Sequence, residues 1–305
     1  LQFWYPVDLK NFVTFDAVVS VPDSMEVAWS GSLKENEVRE GKRYVHWEES
    51  RPILAAGLAA GVYERHSRIQ GGIRCSIYGQ NLDEDRVERY LGALGDAYNA
   101  LNSRLGPDNF NQLNLVLSDA IDQSGHAGGP LILAMPDDTL DGDALFASLA
   151  AQVARNWWGD TVSGRWFSTR PEAGEWLVSG LAEYNAWQAL RSVKGRRAFL
   201  RHMETRVCAP QIDVPMKTYN LGQRLRRGTG YDPTLVEIRG AYAAVVIASQ
   251  AGTEAFDLAC ANFMAVHRYT TVSFGALLHE ITMASEVPLD ELVRVWFDRP
   301  GTFDY

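Results

Sequence analysis

Residues 1–78 alternate short apolar or aromatic runs with turn signals. The runs are Phe12 to Val21, Met25 to Trp29, Arg43 to Trp47, Gly61 to His66 and Ile73 to Tyr78, punctuated by Pro22-Asp23, Gly31 and Gly41. Val, Phe, Tyr and Trp recur within them at close to period two, the spacing that sends successive side chains to opposite faces, so the stretch predicts antiparallel strands. From about residue 79 the period lengthens. Asn81 is placed to cap a helix with an acidic first turn of Asp83, Glu84 and Asp85; Val87, Leu91, Leu94, Tyr98 and Leu101 form its apolar stripe, and Gly106-Pro107 ends it. Short strands follow at Leu113 to Ser118 and Leu131 to Met135. Helical patterns then cover residues 142–158, 175–192, 195–206, 239–250, 253–267, 273–284 and 288–297. The pattern predicts an α+β chain: an antiparallel β domain over 1–78, then a domain over 79–305 with a small sheet and a mainly helical lobe. No repeat or low-complexity linker interrupts it.

The chain has 305 residues, 46% apolar and 22% charged, the profile of an ordinary globular protein long enough for two domains. Its 29 Lys and Arg against 38 Asp and Glu give a net charge of -9, a poor match to a phosphate backbone, so nucleic acid is not an expected partner. Lys194, Arg196, Arg197 and Arg201, and the group Arg224, Arg226 and Arg227, are read as solvated faces. Cys75, Cys208 and Cys260 are odd in number and widely spaced, which predicts buried free thiols rather than a disulfide framework or a paired-cysteine metal site. The longest apolar stretches, Ile53 to Tyr63 and Ala241 to Ala248, are too short to cross a bilayer. No signal peptide is visible and the chain starts at Leu1, which leads us to expect a processed product or a piece of something longer. The sequence does not name a compartment; an extracytoplasmic or membrane-complex setting is compatible with it.

Two stretches carry a resemblance. Residues 147–160 read A-S-L-A-A-Q-V-A-R-N-W-W-G-D, and residues 176–184 read W-L-V-S-G-L-A-E-Y. They resemble the H-E-L-A-H-Q-W-W-G-D and W-L-N-E-G-L-A-E-Y signatures of the gluzincin (alanyl aminopeptidase type) metallopeptidases. Trp157, Trp158, Gly159, Asp160, Trp176, Leu177, Gly180, Leu181, Ala182 and Tyr184 keep the frame. Trp4-Tyr5-Pro6 and Phe15 to Pro22 resemble the second half of that family's amino-terminal β domain. The resemblance therefore implies a partial β domain followed by a thermolysin-like domain, with further strands upstream or supplied by a partner.

The same resemblance places the family's zinc histidines on Ala151 and Arg155, its general-base glutamate on Gln152 and its third ligand on Ser179. Zinc is held by imidazole, thiolate or carboxylate. A methyl group has no donor atom, a guanidinium repels a cation and a neutral hydroxyl is a poor ligand, so no metal cofactor is expected. The glutamate that captures a substrate's amino terminus aligns with Ala127, and the oxyanion-stabilising tyrosine with Glu237, which cannot donate a hydrogen bond when ionised. The segment between Arg155 and Ser179 is longer than in the family and holds Glu172 and Glu175. Arg155 is expected to take over the charge of the lost metal by pairing with Glu183 or Glu237.

No two of the six histidines lie four residues apart, so no helical metal-binding pair is written in the chain. Ser179 lacks the strand-turn-helix elbow of a serine hydrolase. The tryptophans at 157, 158, 166, 176, 187 and 296 are read as core anchors rather than a peptide-binding wall. These observations point to a pseudopeptidase that binds a protein or extended peptide, or that serves as a subunit of a larger assembly. His126, Arg155, Ser179, Glu183 and Glu237 are its cleft candidates. Two alternatives stay open: a zinc peptidase with ligands drawn from His126, Glu172, Glu175 and Glu183, and a soluble domain of a membrane-tethered, transporter-associated protein.

Overall fold

The computed structural model describes residues 11–107, 110–121, 125–164, 176–206 and 233–293. Trp4-Tyr5-Pro6, Trp166, Glu172, Glu175, Cys208, Arg224, Arg226, Arg227 and Trp296 lie outside them, as do the side chains of Trp176 and Arg239. The chain forms two compact units, Leu1–Asn102 with Pro107–Asn156, and Ser103–Gly106 with Trp157–Tyr305.

Among the described residues, the first unit contains three sheets. Strands β1 (Val13–Pro22), β3 (Ser32–Arg39) and β4 (Lys42–Ile53) form an antiparallel sheet in the order β1-β4-β3. Along β4, Val45, Trp47, Glu49, Arg51 and Ile53 are buried while Tyr44, His46 and Glu48 alternate with them on the opposite face. Strands β2 (Glu26–Trp29) and β5 (Leu58–Gly61) pair antiparallel. The third sheet joins β6 (Glu64–Gln70), β7 (Ile73–Gly79), β8 (Gln112–Leu117), β10 (Leu131–Ala134) and β9 (Gly125–Gly128) in the order β6-β7-β8-β10-β9. Its middle three strands are parallel, with an antiparallel strand at each end. The parallel step from β7 to β8 needs a crossover, which helix α1 (Glu84–Leu105) supplies.

Trp29, Trp47, Val45 and Ile53 pack in one core with Tyr78, Val116 and Leu131 of the five-stranded sheet. Asn114 and Ser30 tie their buried polar groups to backbone beside this core. Asn114 Nδ2 donates to the carbonyls of Trp29 at 2.9 Å and Gly31 at 3.1 Å, and its Oδ1 accepts from Gln112 Nε2 at 2.6 Å. Ser30 Oγ accepts from Gly57 N at 2.7 Å and donates to the Gly128 carbonyl. The ion pair between Glu49 and Arg51 is buried at 3.2 Å, with the guanidinium 4.8 Å from the Phe110 ring.

Helix α1 buries the predicted stripe of Val87, Leu91, Leu94, Tyr98 and Leu101. Its cap is Asp83, whose Oδ1 accepts from Arg86 N at 2.7 Å; Asn81 instead turns the chain with a φ of 54°. Helix α2 (Gly142–Ala154) starts on Asp141, whose carboxylate accepts from Ala144 N at 2.7 Å. It ends at Ala154, short of the expected residue 158, because Trp157 and Trp158 are drawn into a tight turn. There Val162 N donates to Trp157 O at 3.0 Å and Gly159 N to Val162 O at 2.8 Å.

In the second unit, β11 (Val162–Gly164) pairs in parallel with β12 (Thr270–Val272). A π turn at Trp176–Gly180 leads into α3 (Leu181–Arg206), followed by α4 (Pro233–Ala251), α5 (Thr253–Val266), α6 (Phe274–Ser285) and α7 (Asp290–Val293). Helix α3 breaks direction at Gly195, whose φ of 86° and ψ of 171° suit glycine alone. Small residues Ala241, Ala243, Ala244 and Ala248 let α4 pack on α3 and the π turn, while α5 and α6 pack on each other. Trp157 Nε1 donates to the Gly106 carbonyl at 3.0 Å.

Arg104, from the last turn of α1, belongs to this second unit. Its guanidinium donates to Asn185 Oδ1 at 2.9 Å and Tyr184 Oη at 3.2 Å, and pairs with Asp257. Burial raises the Asp257 carboxyl above its ordinary pKa, and Arg104 pulls it back. Burial also raises the Tyr184 hydroxyl and the Cys260 thiol. Among the described residues, no helix is long and apolar enough to cross a membrane.

Candidate functional site

The first unit carries one half of the sequence-predicted site. Ala151 is 6% exposed near the end of α2. Arg155 is the C-cap: it is half-buried, with φ of -67° and ψ of -15°, and its backbone N–H reaches Gln152 O at 3.3 Å. A cation here faces the negative end of the helix dipole, so the helix itself favours an arginine at this place without any metal. Gln152 is half-buried, and its Oε1 is buried without a hydrogen bond among the described residues.

Strand β9 brings in His126 and Ala127, both half-buried. His126 pairs across to Ile132, whereas Ala127 packs against the Trp29 and Trp47 core. Gly57 presses on Ala127 closely enough that a Cβ at residue 57 would come within 2.6 Å of the Ala127 carbonyl and 2.8 Å of its Cβ. The aligned position of the amine-binding glutamate is thus a methyl group set against packed backbone.

The second unit carries the other half. Ser179 is 2% exposed within the π turn. Glu183, 5% exposed, lies in the first turn of α3, where its Oε1 accepts from Trp187 Nε1 at 2.8 Å. Glu237 is half-buried on α4, which packs against the π turn. Arg155 belongs to one unit and Glu183 and Glu237 to the other, so their pairing rests on the sequence reading alone. Trp157, Trp158 and Trp187 are fully buried, the core-anchor role expected of them.

Sequence reasoning missed two polar clusters: Ser30 with Gly57 and Gly128, and Arg104 with Asn185 and Asp257. Neither follows a local motif. Their members meet across 27 to 98 and 81 to 153 residues respectively.

The donor set at the aligned zinc positions does not fit zinc. Ala151 offers a methyl, Ser179 a neutral hydroxyl inside a closed turn, and Arg155 a cation. Among the described residues, no three His, Cys, Asp or Glu side chains come together in a group able to hold a metal ion. Glu172 and Glu175 are not among those residues.

No family model matches the chain, and no curated protein matches it. Solved structures do. An M1 zinc metallopeptidase from Deinococcus radiodurans aligns with a TM-score of 0.71 at 20% identity, over 93% of this chain and 63% of that one. A mutant of the Deinococcus radiodurans enzyme bound to a Tyr-Ser-Ala substrate gives 0.73 at 19%, over 95% and 65%. A two-domain M1 zinc metallopeptidase mutant bound to L-tryptophan gives 0.70 at 21%, over 95% and 65%. The fold is that of the M1 zinc metallopeptidases. This M1-like chain spans just under two thirds of the length of those structures. At such identity the likeness speaks for the fold, and function has to be argued from the site.

Proposed function

We propose that this M1-like chain is a non-catalytic relative of the gluzincin aminopeptidases that acts by binding, as a scaffold or recognition subunit. The observation that carries the reading is the last turn of α2, where Ala151 and Arg155 occupy the aligned histidine positions and Arg155 caps the helix. Ser179, Ala127 and Glu237 support it, since none carries the group that its aligned role needs: an anionic ligand, an amine-binding carboxylate and a hydroxyl donor respectively. Binding of this kind needs no catalytic group: an extended peptide adding to an end strand of a sheet gains its affinity from main-chain hydrogen bonds.

Elemental analysis of the dialysed protein, with chromogenic aminopeptidase substrates assayed on the same sample, tests the proposal. The reading expects less than about a tenth of an equivalent of zinc and no chelator-sensitive turnover. About one equivalent of zinc with chelator-sensitive turnover would overturn it in favour of relocated ligands.

A further inference from the structure

The strongest feature outside the aligned site is a run of exposed cations on α3. Between Glu183 and Glu204 the chain has no acidic residue, yet it carries Arg191, Lys194, Arg196, Arg197 and Arg201, all exposed. This contrasts with a net charge of -9 for the whole chain. Arg196 and Arg197 form no ion pair among the described residues. Val193 and Leu200, 38% and 45% exposed, lie between the cations.

The patch has a defined shape. Past the break at Gly195, Arg196, Arg197, Leu200 and Arg201 follow the spacing that puts them on one side of the helix, while Ala198 is buried on the other. Arg191 reaches across the break, its guanidinium 6.0 Å from the Phe199 ring, which ties the two helical segments together. Past the break, Arg196, Arg197 and Arg201 span about 8 Å of helix, within about one Debye length at physiological salt. They therefore act as one concentrated positive site.

We infer that this face of α3 docks an acidic segment of a partner protein, with Leu200 taking an apolar side chain between the carboxylates. Arginine favours this occupant because its planar fork meets carboxylates bidentately and keeps its charge at interfaces. Charge balance selects a short ligand. A short acidic helix or loop matches the length of the patch and supplies a carboxylate for each of its few cations. The inference goes beyond the proposed lack of catalysis and stands whichever way the zinc assay falls.

The test is fluorescence anisotropy with a labelled peptide of alternating Asp and Leu, compared with its Lys-for-Asp counterpart, a single-stranded oligonucleotide and phosphatidylserine vesicles. The Asp peptide is expected to bind, weaken with added salt, and lose about tenfold or more in affinity to the double variant Arg196→Glu, Arg197→Glu. Both sites are exposed, and an unchanged circular dichroism spectrum would show that the variant is folded. Equal binding by the variant, or failure of the Asp peptide to bind, would overturn the inference. Binding of the oligonucleotide or vesicles in preference to the peptide would overturn it in favour of a different partner class.

Discussion

Replacing Arg104 with methionine keeps much of the aliphatic stem but leaves Asp257, Asn185 and Tyr184 without the guanidinium they share. Breaking a fully buried pair costs about 3–5 kcal/mol. The side chains here are 20% and 26% exposed, so water recovers part of that and a loss of about 2–3 kcal/mol is expected at pH 7. Cys260, fully buried in the same unit, provides a local reporter. Its maleimide labelling, followed by peptide mass spectrometry, should accelerate about 30- to 150-fold if the unit opens more readily by that amount. The loss should also depend on pH. Burial already raises the Asp257 pKa and Arg104 opposes the rise, so the variant's carboxyl titrates higher still. With the folded pKa above the unfolded one, the folded state binds the proton more tightly, and stability from this group falls as pH rises through that window. The deficit of the variant is therefore largest at neutral pH and shrinks toward acid, leaving about 1 kcal/mol for the neutral hydrogen bonds. Labelling rates divided by those of the unfolded chain at each pH remove the thiol's own titration. A deficit below about 0.5 kcal/mol at pH 7, or one unchanged at pH 5, would refute the reasoning.

Three further outcomes are expected. Asn114→Ala strands the Trp29 and Gly31 carbonyls and should lower the urea midpoint of the first unit by the equivalent of about 2–4 kcal/mol; a loss under about 1 kcal/mol would mean that the core rearranges to satisfy them. Gly195→Ala puts a side chain at φ 86° and ψ 171° and should cost about 1–3 kcal/mol by thermal unfolding, even though nothing lies within 4 Å of the new methyl. Burial pushes the Cys75 thiol up to about 12 and also raises Cys260, so native protein at pH 8 should titrate no more than the thiol of Cys208, against all three in guanidinium.

The legible parts of the fold were those with a long, regular period. The alternation along β4 and the stripe on α1 appear in the sequence as they do in the structure, because each element buries one face over many residues. Strand β3 was illegible: S-L-K-E-N-E-V-R lies at the end of its sheet, where most side chains meet water and alternation carries no signal. Strand β9 is four residues of Gly, His, Ala and Gly, and β11 and β12 are three residues each, too short to show any period. Asn81 and Asp83 are both good caps by type, and only the backbone decides between them. At the candidate site, the W-W-G-D and W-L-V-S-G-L-A-E-Y frames pointed to the fold, since they encode a tight turn and a helix start around buried tryptophans. The burial of Ala127 against Gly57 depends on segments 70 residues apart that no local pattern connects.

Four residues at the end of α1, Ser103–Gly106, bear on how the chain could be taken apart. They supply the second unit with the Arg104 guanidinium and with the carbonyl that accepts from Trp157 Nε1. A polypeptide beginning at Trp157 would lack both, leaving Asp257 without its counter-charge and a buried indole N–H without its acceptor. Cutting the molecule between Asn156 and Trp157 therefore does not yield an independent second half. In chain order the α1 tail precedes every helix that it serves in the second unit.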